Sequence, residues 1–281
     1  MNALHEVQAP AKLNLFLHVT GRRSDGYHLL QSVFMLLDWS DVLHVEVTSS
    51  PRIEREDLTT PLPADDLIVR AARLLQQASG TRQGAHIAVA KQLPAMAGMG
   101  GGSSDAASTL LALNRLWGVG YSRAQLSQLG LQLGADVPFF LVGQHAWAEG
   151  IGEQLTPLSL PRQRFWVVKP PSGLVTAQIF GAPDLERSHK SVTIEDFVAQ
   201  PYGFGQNDLQ VVAQRLSPDV RMALDWLRNL GLQPKMTGSG SAVFAAVPET
   251  FEPPPAQPGW ISVVCHNLDR HPLWGWCSSD D

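Results

Sequence analysis

The sequence predicts an α+β protein rather than a doubly wound sheet, and three observations carry that expectation. Lys12 to Val19 alternates, with Leu13, Leu15, Leu17 and Val19 toward one side and Asn14, Phe16 and His18 toward the other, which is the period of a strand. Further apolar, strand-like segments follow before any helical period appears, so strands come first and helices mix with strands later. The helical stretches then arrive with their own start and stop residues.

Taken in order, Gly21 to His28 (GRRSDGYH) is turn material. Leu29–Leu37 and Leu43–Thr48 read as strands on either side of a turn at Asp38–Asp41. Leu67, Ala71, Leu74, Leu75 and Ala78 mark a helix opened by Asp65 or Asp66 and ended near Gly80. His86–Lys91 reads as a strand that leads into a glycine-rich segment. Beyond that segment, Ala106, Ala107, Leu110, Leu111, Leu113 and Leu116 lie on or beside one helical face, with no Gly or Pro until Gly118. Ser122 and Gln125 form a capping box for a helix through Leu133, stopped at Gly134. A short strand, His145–Glu149, lies within Gly143–Gly152.

The Pro-rich stretch Thr156–Arg164 is expected to separate two halves, residues 1–157 and 158–281. In the second half Phe165–Lys169 is a strand, Thr176–Phe180 a short helix and Asp208–Leu216 a longer one. Ser217-Pro218 opens a helix over Asp219–Leu230, ended at Gly231. Lys235–Val247 holds a second glycine cluster, Glu249–Pro258 is a loop with four prolines, and Trp260–His266 is the last strand. The tail Arg270–Asp281 is expected to be loosely held. No internal repeat stands out.

Composition limits the function classes. The 281 residues are 44% hydrophobic and 17% charged, as in an ordinary globular protein. A net charge of −5 leaves no global basic field for nucleic acid or anionic lipid, so an anionic ligand must be held locally. The two cysteines, Cys265 and Cys277, form no metal-spaced cluster and fit a reducing compartment. The N-terminal MNALHEVQAPAK has no apolar signal core, and no apolar run approaches membrane-spanning length. A soluble cytoplasmic protein is expected, either monomer or homodimer.

The chemistry centres on LPAMAGMGGGSSDAAS, from Leu93 to Ser108. Gly98, Gly100, Gly101 and Gly102 let a backbone approach a ligand closely, and the helix that follows offers unpaired N–H groups. Together they suit a phosphate chain; a glycine-rich surface loop is the plainer alternative. The segment lacks both the Gly-Lys-Ser/Thr ending of a P-loop and GxGxxG spacing.

Phosphoryl chemistry needs positioning, charge neutralisation and an acceptor hydroxyl held in line. Lys12 could supply the charge, or could be a solvated strand end. Asp136, in GADVPFF, could be a base among apolar neighbours or an Asx-turn residue. Thr237-Gly238-Ser239-Gly240-Ser241 could close over phosphates or simply turn a hairpin. Tyr27 and His28 could stack on and hydrogen-bond a planar ring, with a surface aromatic as the alternative. Phe180 reads equally as a core residue.

Three segments, PAKLNLFLHVTGRRSDGYH, LPAMAGMGGGSSDAAS and MTGSGSAVFA, occur in this order, and together they resemble the three motifs of the GHMP kinases. The resemblance runs from about Ala9 to Val247. It implies a two-lobed α+β fold, ATP and Mg2+ as cofactors, and a small-molecule acceptor. Tyr27-His28 and GADVPFF point to the member that phosphorylates the 2-hydroxyl of methylerythritol carried on cytidine diphosphate, in the non-mevalonate isoprenoid pathway. By that resemblance Lys12 and Asp136 are catalytic. Pro94, Ala95, Met96, Ala97, Gly98, Met99, Gly100, Gly101, Gly102, Ser103 and Ser104 bind ATP, the two serines nearest the phosphates. Asn14, Tyr27, His28, Thr176 and Phe180 bind the acceptor, with Phe180 and Tyr27 on opposite faces of its cytosine. No carboxylate cluster marks a metal site, so its ligands stay unassigned. Met99 stands where members often carry leucine, and Asp105 where some carry asparagine, which alters the charge beside the phosphates. A homoserine or mevalonate type of kinase and a non-catalytic nucleotide-binding module are the alternatives. The first has no use for Tyr27-His28, and the second would not need Lys12 or Asp136.

Overall fold

One strand, β1 (Ala3–Arg22), reaches every apolar region of the protein in the computed structural model, which describes residues 2–277. Its first half gives Val7 and Ala9 to the core of the first sheet. Its middle gives Ala11, Leu13, Leu15 and Phe16 to a core shared by both sheets, and its end gives Leu17 and Val19 to the core of the second half. The alternation read from the sequence therefore marks a strand, but one buried on both faces: every residue from Ala9 to Val19 is inside. Lys12 is not at the strand's start. It lies mid-strand and is 4% exposed, because the glycine segment packs over it.

β2 (His28–Thr48) pairs antiparallel with β1 along nearly its whole length. The turn expected at Asp38–Asp41 does not form. β2 bulges there instead, fitting Leu37, Asp38 and Trp39 opposite the single residue Ala11 between the Pro10–Ser40 and Lys12–Leu36 pairs, and Asp41 stays paired with Ala9. β3 (Ile53–Asp57) lies parallel to β4 (Gly84–Ala90), and β4 joins the far end of β2. β5 (Ala146–Glu149) joins the near end of β2, and β6 (Gln154–Pro157) extends it. β6 takes in Thr156 and Pro157, the first residues of the Pro-rich stretch.

α1 (Leu67–Ser79), α2 (Gly101–Leu116), α3 (Arg123–Leu131) and α4 (Val137–Val142) share the first sheet's core. Their ends follow local chemistry. The Asp66 carboxylate accepts from Val69 N at 3.1 Å and Gly80 closes α1 with φ 69°, while Ser122 and Gln125 form their capping box.

In the second half β7 (Arg164–Lys169), β8 (Lys235–Met236), β9 (Val243–Val247) and β10 (Ile261–His266) form an antiparallel sheet in the order β10-β7-β9-β8. α5 (Thr176–Phe180), α6 (Ile194–Val198), α7 (Leu209–Leu216) and α8 (Pro218–Asn229) complete it, with Ser217 capping α8 as its sequence announced. β3 and α6 were not foreseen. β3 (IERED) has one apolar residue, and α6 is signalled only by the Thr193–Asp196 capping box. No helix among the described residues is long and apolar enough to cross a membrane.

The tail is not loose as far as it is described; residues 278–281 of the stretch expected to be loose lie outside the described residues. His271 N donates to Gly143 O at 2.8 Å, Leu273 enters the first core at 4% exposed, and Arg123 both lies over the Trp274 ring and donates to Trp274 O at 2.7 Å. Apolar residues too sparse to make a periodic signal are nevertheless enough to dock a chain end. Leu273→Ala should lower the unfolding free energy by about 2–5 kcal/mol in urea titration, whereas a loosely held tail would leave the midpoint unchanged.

Candidate active site

The two glycine clusters meet backbone to backbone. A Cβ on Gly98 would lie 2.2 Å from Thr237 O, and one on Gly238 would lie 2.7 Å from Gly98 O. Ser241 N donates to Met96 O and Ala242 N to Ala97 O, both at 3.1 Å. The second cluster turns the hairpin between β8 and β9, with Thr237 N bonded to Ala242 O, and it packs against the first glycine segment. Gly100, with φ 72°, begins α2 earlier than the sequence period suggested, and a Cβ there would meet the Phe140 ring at 2.9 Å and Lys12 Cγ at 3.2 Å.

Lys12 is fixed at both ends. Its N–H donates to Met99 O at 2.9 Å, and its ammonium donates to Asn14 Oδ1, lies 4.9 Å from the centre of the Phe34 ring and sits 3.6 Å from Asp136 Oδ2. Asn14 is held in turn. Its amide donates to Ser32 Oγ at 2.8 Å and its backbone N–H to Thr237 Oγ1 at 2.9 Å. Asp136 immediately precedes α4, a third exposed, facing the same space. Lys12, Asn14, Asp136, Gly98, Gly100 and Gly238 line one cavity of about 440 Å³, so residues far apart in the chain converge on it.

Two further cavities adjoin it. On one side a space of about 580 Å³ is lined by Tyr27, His28, Thr176 and Phe180, and shares Thr176, Phe180, Leu30 and Ile151 with the central cavity. Tyr27 is 59% exposed, His28 is nearly buried, and the His28 and Phe180 rings are 5.0 Å apart. Thr176 Oγ1 lies 2.8 Å from Ser239 Oγ, tying α5 to the second glycine cluster. On the other side a space of about 410 Å³ is lined by every residue from Pro94 to Gly102, with Leu67, Arg70, Lys91 and Asp105 behind them, and it shares Met96, Gly98 and Gly100 with the centre. Ser103 and Ser104 line neither space. They lie in the first turn of α2, and the Ser104 hydroxyl is buried without a partner.

The sequence reading missed the support beneath the glycine segment. Lys91 donates to both Asp41 and Asp105, the latter at 2.5 Å, while Asp41 Oδ1 accepts from Gln92 N at 2.5 Å and Leu93 N at 2.8 Å. One ammonium and two carboxylates, all nearly buried, thus clamp β2, the exit of β4 and the first turns of α2. Burial pushes Asp105 up to about 7 against the pull of Lys91, with Asp41 adding to the push. Lys91 is raised above its ordinary value by the two carboxylates, which outweigh its burial. Among the described residues no group of three or more His, Cys, Asp and Glu could hold a metal ion unaided.

The GHMP kinases N terminal domain matches residues 66–144, and the GHMP kinases C terminal domain matches residues 194–257. The chain is 61% identical to the 4-diphosphocytidyl-2-C-methyl-D-erythritol kinase of Delftia acidovorans, over 100% of this chain and 99% of that one. It is 59% identical to the protein of the same name from Paracidovorax citrulli, over the whole of both chains. A crystal structure of 4-(cytidine 5'-diphospho)-2C-methyl-D-erythritol kinase superposes with a TM-score of 0.75 at 39% identity, covering 85% of this chain and 88% of that one. A mevalonate kinase structure shares the fold at TM-score 0.68 with 14% identity, over 95% and 99% of the two chains.

The buried triad makes stability depend on pH. An unfolded Asp titrates near ~3.9, so with a folded value of about 7 the folded state holds the extra proton between those limits. The stabilisation is full below about pH 4 and is lost as pH rises toward about 7, at up to ~1.4 kcal/mol per pH unit. Urea midpoints from pH 4.5 to 8 should therefore fall more steeply for the wild type than for Asp105→Asn; parallel curves would remove Asp105 as the titrating group.

Proposed function

The chain belongs to the GHMP kinases, and from that premise we propose that its three cavities hold ATP and 4-diphosphocytidyl-2-C-methyl-D-erythritol end to end, with transfer in the middle. It is a kinase, acting as its full-length relatives do on the cytidine diphosphate-linked methylerythritol of the non-mevalonate isoprenoid pathway. The observation that carries the proposed arrangement is the Lys12–Asp136 pair, 3.6 Å apart in the central cavity between a glycine-lined space and an aromatic-lined one.

A GHMP kinase uses ATP. The glycine-lined side suits its phosphates, because the first N–H groups of α2 have no carbonyl partner within the helix and the helix dipole favours negative charge there. Asp136 accepts the proton of the acceptor's 2-hydroxyl as it attacks. Lys12, kept straight by Met99 O, Asn14 and the Phe34 ring, holds that oxygen and offsets charge on the transferring phosphoryl group. Mg2+ fits a site of few protein ligands, since it keeps several waters and binds mainly through one or two carboxylates and substrate phosphates. With Asp136 committed to the proton transfer, the ion would be held chiefly by the phosphates and waters, and would add charge neutralisation there.

The aromatic-lined cavity takes the cytidine end, with Tyr27, His28 and Phe180 around the ring and Thr176 nearer the diphosphate. Homoserine and mevalonate have no planar ring to occupy it. A module that only bound nucleotide would have no use for a buried lysine beside an aspartate. The proposed setting is the cytoplasm, where both substrates diffuse.

The test is ADP release with MgATP and 4-diphosphocytidyl-2-C-methyl-D-erythritol, run beside homoserine and mevalonate. Turnover is expected with the first alone, and none with it would overturn the reading. Asp136→Asn should lower kcat by about 10²–10⁴-fold while ATP affinity holds within about threefold; retained turnover would take Asp136 out of the proton transfer.

A further inference from the structure

Arg187 belongs to no motif and lines none of the three cavities, yet all three of its guanidinium nitrogens are engaged. Nη1 donates to Leu185 O at 2.9 Å, and Nη2 donates to Phe180 O at 3.2 Å and Ala182 O at 2.6 Å. Nε donates to His28 Nε2 at 3.1 Å. The carbonyls belong to the last residue of α5 and the turn after it, so the guanidinium plane is set by backbone.

An arginine cannot accept a hydrogen bond or give up its proton, so the contact fixes the roles on the imidazole. His28 Nε2 must offer its lone pair. A neutral ring then carries its proton on Nδ1, which has no hydrogen-bond partner among the described residues. We propose that Arg187 is a positioning residue that locks His28 in the Nδ1–H form and binds it to α5, so that the aromatic-lined cavity presents a fixed donor to a hydrogen-bond acceptor on the ligand's ring. This rests on the reading that the cavity takes a cytidine, whose base offers acceptors at O2 and N3.

Two further features agree. The charged groups facing His28 are Arg187, from the segment after α5, and Arg22, from the end of β1; burial first, then these two cations, hold it below the usual histidine range, so the ring stays neutral. The same guanidinium ties His28 to Phe180, whose ring is 5.0 Å away, and to the helix that carries Thr176. One side chain thereby sets the relative placement of three residues around the base.

The experiment records side-chain ¹H–¹⁵N correlations of the full chain at pH 8, with His28 assigned by the signal lost in His28→Gln. In the wild type His28 should carry its proton on Nδ1, and a proton on Nε2 would overturn the proposal without any variant having to fold. In Arg187→Met the Nε2–H form should appear, and KM for 4-diphosphocytidyl-2-C-methyl-D-erythritol should rise about tenfold, the worth of one well-placed hydrogen bond. Its kcat and KM for ATP should stay within about threefold. An unchanged tautomer in that variant would also overturn the proposal. A tautomer that follows Arg187 in a protein that does not turn over this substrate would uphold the positioning role and reject the cytidine reading instead.

Discussion

Two backbones touch where no side chain could stand between them, and the rest of the site depends on that contact. Gly98 lies against Thr237 and Gly238, and Met96 and Ala97 take hydrogen bonds from Ser241 and Ala242. One segment comes from the first sheet and the other from the second. The contact therefore does what a linker could not: it sets the two halves at a fixed distance with the precision of a hydrogen-bonded ladder. Thr237, in the same contact, reaches Asn14 N, and Asn14 orients the Lys12 ammonium. Glycine is required there by space as much as by φ.

β1 carries this arrangement through the molecule. Because it is buried on both faces, its polar residues cannot be solvated: Lys12 and Asn14 are paired with each other, with Asp136 and with Ser32, whereas His18 leaves its buried Nδ1 without a partner among the described residues. Lys12 and Asn14 are two apart and so share a face, which turns the period of a strand into a pair of site residues. The buried Lys91–Asp41–Asp105 group does for the glycine segment what Asn14 does for Lys12: it fixes a backbone from behind, leaving the N–H groups in front for a ligand. Division of labour follows from the geometry. The glycine-lined side, where we propose ATP binds, is built mainly from backbone, whereas the aromatic-lined side, proposed for the acceptor, is built from side chains.

Much of this was legible in the sequence, for physical reasons that also mark the limit. The strand period from Lys12, the caps at Asp66, Ser122 and Ser217, and the glycine runs are local signals, and each formed where the local chemistry placed it. What was lost was tertiary. The burial of Lys12 depends on a segment nearly ninety residues downstream, and the turn expected at Asp38–Asp41 becomes a bulge because β2 stays paired with β1 on both sides of it. The docked tail depends on Leu273 and Trp274 finding Gly143 and Arg123. Arg187 and Lys91 left no signal because an arginine or lysine among polar neighbours reads as solvated until its partners are known. Ser103 and Ser104, placed nearest the phosphates by the resemblance, lie in the first turn of α2, which begins at Gly101.

Because the site is held together by a contact without side chains, adding one methyl group is the most direct challenge to it. Gly98→Ala should still unfold cooperatively with wild-type far-UV circular dichroism, since each sheet keeps its own core, while kcat/KM falls about 100-fold through displacement of the glycine segment from Lys12. A folded Gly98→Ala protein with turnover within about threefold of the wild type would contradict the claim that the backbone contact between the halves assembles the site.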